Sequence, residues 1–175
     1  QDDGAIFLRS FLENPTHYLN WTDVEGCLNR DDVFWELIQK DGRKKDVPMY
    51  KPYWSPVPCQ EKKTIHDHIQ DKLSFIITGY SKINRKVSNL CTEIERSCDV
   101  NAGVHVYGSK GMSPSFPVHC DNFSNFIIQT VGSTYWKVYK NRHTSLVRTT
   151  NDKPLNYDTM EIDWEGILSP GDLLY

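Results

Sequence analysis

The stretch Phe116-Pro117-Val118-His119-Cys120-Asp121 decides how this chain is read. Side chains alternate between the two faces of an extended segment, so His119 and Asp121 are expected to project to the same side of a strand. An imidazole and a carboxylate at that spacing supply two of the three donors of a two-His-one-carboxylate facial triad. Such a triad leaves three positions of a metal ion open, which suits non-haem Fe(II) oxygen chemistry. On the tripeptide alone a second reading stays open, a surface histidine beside a turn aspartate.

The segments around this stretch read as short strands. Phe126 to Val131 is apolar and β-rich, Gly132-Ser133 turns the chain, and Thr134 to Tyr139 returns it. Ile162 to Leu168 follows, then the turn Ser169-Pro170-Gly171-Asp172, then Leu173-Leu174-Tyr175 opening a further strand. Upstream, Val104 to Tyr107 reads as a strand and Leu73 to Thr78 as a buried one. Between them Ile83 to Cys98 is expected to be helical, with Val87, Leu90, Cys91, Ile94 and Cys98 on one stripe.

The first third reads as helix and turn. Ile6, Phe7, Phe11 and Leu12 recur at helical spacing until Pro15. Thr22-Asp23-Val24-Glu25 has the form of a capping box, opening a helix with Val24 and Leu28 on one face. Asp31 or Asp32 caps a further expected helix bearing Phe34, Leu37 and Ile38. From Lys40 to Lys63 the chain is polar and carries Pro48, Pro52, Pro56 and Pro58, which predicts a long surface loop with one short edge strand. Helices followed by many short strands with tight turns predict a mainly β fold, a barrel or sandwich with a helical N-terminal part.

Composition narrows the class. At 175 residues the chain has room for one domain with a sizeable core. A net charge of -3 gives no basic field toward nucleic acid or a membrane surface, so neither is an expected partner. No apolar run approaches the roughly 20 residues of a membrane span, and no secretory signal is visible at the N-terminus. Cys27, Cys59, Cys91, Cys98 and Cys120 match neither a disulfide framework nor a zinc pattern. They read as reduced thiols of a cytoplasmic protein, which makes the sequon Asn20-Trp21-Thr22 idle.

Several stretches together carry a family resemblance. They are Gly108-Ser109-Lys110-Gly111, Ser115 to Asp121, Asn125-Phe126-Ile127-Ile128-Gln129, Gly132, Trp136-Lys137-Val138-Tyr139 and Ser169-Pro170-Gly171-Asp172-Leu173-Leu174-Tyr175. This pattern resembles the JmjC/cupin-like hydroxylases, which include the ribosomal-protein oxygenases and asparaginyl hydroxylases. The match is good over roughly residues 100 to 175 and looser before that. The resemblance implies a double-stranded β-helix, the jelly-roll or cupin barrel, in a single domain over 1–175. Residues 1–99 would form a helical elaboration with the first strands, and 100–175 the core strands. It implies Fe(II) as metal, 2-oxoglutarate as co-substrate, a protein or small-molecule substrate, and homodimerisation through appended elements. A non-catalytic cupin binding module is the alternative.

Residue by residue, the resemblance assigns the metal to His119 and Asp121. The family's third ligand is a histidine a few residues beyond the strand that Leu173-Leu174-Tyr175 begins, so the chain is expected to be clipped there. His105 and His143 are weaker substitutes, one a barrel histidine and one in a polar turn. Asn125 matches an amide that contacts 2-oxoglutarate, and Asn101 a polar residue lining the same pocket; both also read as turn residues. The family commonly places Lys or Arg where Thr134 stands. Lys137 has the opposite strand parity to Thr134 and is expected to point outward, so Lys110 is the candidate for the distal carboxylate. His66-Asp67-His68 reads as the solvated opening of a helix, and Lys44-Lys45 as a solvated face. Tyr50, Tyr53 and Trp54 suit either a substrate rim or packing against the barrel.

Overall fold

Leu73 to Thr78 carries three large apolar residues in a row, and a computed structural model shows how such a run is buried. Residues 4–111, 118–119, 121, 123–140 and 159–175 are described. They fall into two compact units, one formed by Gln1–Trp21 with Val118–Tyr175, the other by Thr22–Pro117.

The second unit is built on a four-stranded antiparallel sheet in the order Lys44–Lys45, Phe34–Ile38, Ser74–Thr78, Val106–Gly108. Its strands are β2 (Phe34–Ile38), β3 (Lys44–Lys45), β6 (Ser74–Thr78) and β7 (Val106–Gly108). Strand β6 lies between β2 and β7, so both its edges are paired, and Phe75, Ile76 and Ile77 are buried. Trp35 of β2 meets Phe75 of β6 with ring centroids 5.3 Å apart. The Gln60 side chain takes the place of a strand neighbour beside Trp35. Its Oε1 accepts the Trp35 N–H at 2.7 Å, and its Nε2 donates to the Trp35 carbonyl at 2.8 Å. Three helices accompany the sheet: α1 (Trp21–Leu28), α2 (Lys62–Gln70) and α3 (Arg85–Cys98). Asn84 caps α3, its Oδ1 accepting the N–H groups of Lys86 and Val87.

The first unit has two smaller sheets. β1 (Phe7–Leu8), β11 (Leu173–Leu174) and β8 (Ile127–Ile128) form a three-stranded antiparallel sheet with β11 in the middle. Tyr175 and Ile6 extend the β1–β11 pairing through reciprocal backbone bonds of 2.9 Å. β9 (Thr134–Tyr139) and β10 (Ile162–Leu168) form a two-stranded ribbon, with Thr134 opposite Leu168 and a register shift between Ile162 and Trp164. The remaining sheet pairs β4 (Met49–Tyr50) with β5 (Cys59–Gln60) in the second unit. Among the described residues the strands make these four separate sheets and do not close into a barrel.

Several local expectations are corrected. Residues 6 to 12 do not form a helix: Phe7–Leu8 is a strand, and Ile6, Leu8 and Phe11 are exposed. Pairing with β11 outweighs the helical spacing of four apolar residues. The expected helix over Phe34, Leu37 and Ile38 is strand β2, whose Trp35 and Leu37 turn inward at a period of two. The capping-box helix exists but begins at Trp21, so Thr22 lies inside it. The polar segment from Lys40 to Lys63 holds three two-residue strands and the start of α2. Helix α3 buries Val87 and Cys91, while Cys98 at its end is exposed. His66-Asp67-His68 sits in the C-terminal half of α2, and His68 is fully buried with Nε2 2.9 Å from the Ser74 carbonyl. Tyr53 and Trp54 stand out from the surface against each other, edge to face.

Buried strand β6, helix α3, and strands β9 and β10 match their expected bounds to within two residues. Cys27, Cys59, Cys91 and Cys98 are free thiols; Cys120 and His143 lie outside the described residues. No described helix is long and apolar enough to cross a membrane.

Candidate metal centre

The pair His119 and Asp121 lies in the first unit, on the irregular segment that leads into β8. Neither residue is in a strand, which corrects the expected extended segment. His119 Nε2 is 3.9 Å from Asp121 Oδ1. Two donors on adjacent positions of one ion, each at about 2.1 Å, stand about 3 Å apart, so the two side chains would have to draw together by roughly 1 Å to share an ion. The side chains are 53% and 38% exposed, which leaves both within reach of an ion and its further ligands.

The far end of the segment is anchored. β8 pairs with the central strand β11, placing Ile128 opposite Leu173 and Ile127 opposite Leu174. Just before β8, the Phe126 ring stacks on Tyr175 at 4.8 Å, and the Tyr175 hydroxyl donates to Ser124 Oγ at 3.3 Å. Asn125 sits between these two contacts, and its Nδ2 donates to Asp121 Oδ2 at 2.8 Å. The carboxylate thus has one oxygen on an amide and the other toward the imidazole.

The other candidate residues are placed as follows. Thr134 opens β9 and is exposed. Lys137 shares a face of the ribbon with the exposed Tyr135 and Ile167; it reaches Glu165 at 3.6 Å and lies 5.7 Å from the Tyr135 ring centroid. Asn101 and Lys110 belong to the second unit, on exposed segments either side of β7, and His105 is exposed just before that strand. The structure therefore brings together His119, Asp121 and Asn125. Among the described residues no group of three or more His, Cys, Asp and Glu side chains is gathered to hold a metal.

One residue read from sequence only as part of a turn has a larger role. Asp172 is 2% exposed, and its carboxylate accepts the N–H groups of Ser10 and Ser169, each at 2.9 Å. Those two backbone hydrogen bonds hold its carboxyl below the ordinary aspartate range, against a smaller opposing effect of burial. The Pro-Gly-Asp signature pointed to a turn; nothing in it names Ser10 as a partner.

Comparison with known proteins bears on the family and the fold. A solved structure, E. coli ycfD, superposes with a TM-score of 0.59 at 17% identity, covering 99% of this chain and 43% of that one, a likeness of fold. A bifunctional lysine-specific demethylase and histidyl-hydroxylase NO66 from Drosophila mojavensis is 29% identical over 139 residues, 74% of this chain and 15% of that protein. Ribosomal oxygenase 1 from Rattus norvegicus is 36% identical over 76 residues, 42% of this chain and 13% of that protein. The chain thus spans less than a fifth of the length of these two curated relatives. The family model for the JmjC domain matches residues 80–175, more than half of the sequence. That span includes His119, Asp121 and the Pro-Gly-Asp turn, and this chain belongs to the JmjC domain family.

Proposed function

We propose that this chain carries two metal ligands of an Fe(II)- and 2-oxoglutarate-dependent oxygenase that hydroxylates a C–H bond of a protein side chain. The observation that carries the reading is the convergence of His119 Nε2 and Asp121 Oδ1 at 3.9 Å, inside the JmjC match. The names of the relatives, a histidyl-hydroxylase and demethylase and a ribosomal oxygenase, support a protein substrate. Completion of the strands into a jelly-roll barrel within one domain belongs to the same proposal. So does a reducing cytoplasmic setting, which suits the free thiols Cys27, Cys59 and Cys91 buried in the second unit.

His119 and Asp121 would hold Fe(II), a neutral imidazole nitrogen and a carboxylate oxygen being hard-to-borderline donors suited to that ion. Bound iron with 2-oxoglutarate and dioxygen supplies the oxidising power for hydroxylation, the co-substrate leaving as succinate and carbon dioxide. The protein's share is geometric and electrostatic. Asp121 offsets one positive charge of the ion. His119 would present Nε2 to the ion as a ring-nitrogen donor. Within the first unit, Asn125 is the residue proposed to face 2-oxoglutarate.

A second reading, a binding module without catalysis, is favoured by one observation. Exposed Thr134 stands where the family commonly carries a cation for the distal carboxylate, and a hydroxyl holds a carboxylate less strongly than an ammonium does. Succinate release separates the two. With Fe(II), 2-oxoglutarate and dioxygen, the purified protein is expected to form succinate, and His119→Ala or Asp121→Ala to abolish it. Binding of 2-oxoglutarate and Mn(II) without succinate formation under any substrate would leave the binding module.

A further inference from the structure

We propose that Asn125 is a positioning residue for the metal site, holding the Asp121 carboxylate with Oδ1 turned toward His119. The inference rests on the assignment of His119 and Asp121 as ligands. The observation is the bond from Asn125 Nδ2 to Asp121 Oδ2 at 2.8 Å, set beside the 3.9 Å approach of the other oxygen, Oδ1, to His119 Nε2. An ionised carboxylate only accepts hydrogen bonds, so the amide must turn its NH₂ toward Asp121, and this fixes which oxygen is occupied.

With Oδ2 held by the amide, Oδ1 faces the imidazole, so the carboxylate would be oriented before an ion arrives. The amide is itself held in place. Its neighbours Ser124 and Phe126 both contact Tyr175, which follows β11 and bonds to Ile6 through its backbone. Asn125 thus links the ligand segment to β11, the central strand of its sheet. The resemblance assigned this amide to 2-oxoglutarate; the geometry gives it a role before any co-substrate arrives.

The test is a Mn(II) titration without 2-oxoglutarate, following the free-ion signal by electron paramagnetic resonance. Wild type is compared with Asn125→Leu, Asn125→Gln and Asp121→Ala, and thermal melting of each verifies folding. Removing an outer-sphere partner of a ligand weakens metal binding about 10–100-fold, and that loss is expected for N125L, with N125Q, which keeps an amide donor, retaining most of the affinity. If N125L binds Mn(II) as wild type does while losing only 2-oxoglutarate, the amide is a co-substrate contact and the positioning role is overturned. Equal losses in N125L and N125Q overturn it too, because the donor is then not what matters. If D121A binds as tightly as wild type, the ligand assignment itself fails.

Discussion

The carboxylate of Asp172 accepts the backbone N–H of Ser10 at 2.9 Å, although 162 residues separate the two. Its other oxygen accepts the N–H of Ser169 at the head of its own turn. The same turn exchanges backbone bonds with both flanking segments: Leu12 N–H donates to the Gly171 carbonyl at 3.0 Å, and Gly171 N–H to the Gln129 carbonyl at 2.9 Å. Asp172 therefore ties the N-terminal segment and the strand after the metal segment to one turn.

Asp172→Ala is expected to destabilise the first unit by about 2–4 kcal/mol, because two N–H groups lose a charged acceptor. Asp172→Asn, which keeps one acceptor oxygen, should lose less. Urea denaturation of the three proteins checks this order, and an alanine variant as stable as wild type would refute the clamp.

The same group makes stability depend on pH. Its carboxyl titrates below the ordinary range in the folded chain, the backbone bonds from Ser10 and Ser169 being the main cause. In the unfolded chain it titrates near 3.9. As pH falls the unfolded chain binds the proton first, so the contribution is whole above roughly pH 5 and is lost as pH drops through the folded value. Urea midpoints measured from pH 6 down to pH 3 should fall less steeply in D172N than in wild type.

Gly171→Ala is expected to cost about 2–3 kcal/mol. Gly171 has φ +94°, a region that side chains rarely adopt, and an added Cβ would stand 2.6 Å from the Leu12 carbonyl oxygen. The obstacle is backbone, so it cannot swing aside. A melting temperature unchanged from wild type would count against this packing.

Gly108→Ala tests the second unit. A Cβ there would lie 2.4 Å from the Phe75 ring, which is buried beside Trp35. Overpacking of this kind costs about 1–3 kcal/mol. Shrinking the ring in the double variant Gly108→Ala with Phe75→Leu should recover part of the loss relative to the two single changes added together, and strict additivity would show that the two residues do not meet.

His119→Ala and Asp121→Ala should each weaken Mn(II) binding by more than the about 10–100-fold typical of outer-sphere partners. Each leaves the fold intact, since both side chains are substantially exposed. Isothermal titration with circular dichroism on the same samples separates lost binding from lost structure.

Short, strongly patterned segments were legible from sequence. The apolar run ending at Thr78 had to be a strand buried on both faces, and β9 and β10 followed from turn residues on either side of β-rich segments. The apolar stripe of α3 uses local periodicity alone. Phe34 to Ile38 was misread because five residues with four apolar positions fit a helix face and a strand face alike; pairing with β6 and β3 decided it. The Ile6 to Leu12 run was misread in the same way, its partner strand lying more than 160 positions further along.

The metal segment divides along the same line. Residue type by itself marked His119 and Asp121 as candidate metal donors, because an imidazole and a carboxylate keep their ligand chemistry wherever they sit. Only the tertiary structure decided that an irregular segment, not a strand, brings them within 3.9 Å, and that Asn125 occupies Oδ2. Chemistry belongs to the side chain and is written in the sequence. Orientation depends on what the neighbouring chain is bonded to, and here that is β11, whose backbone holds the segment from the far end of the sequence.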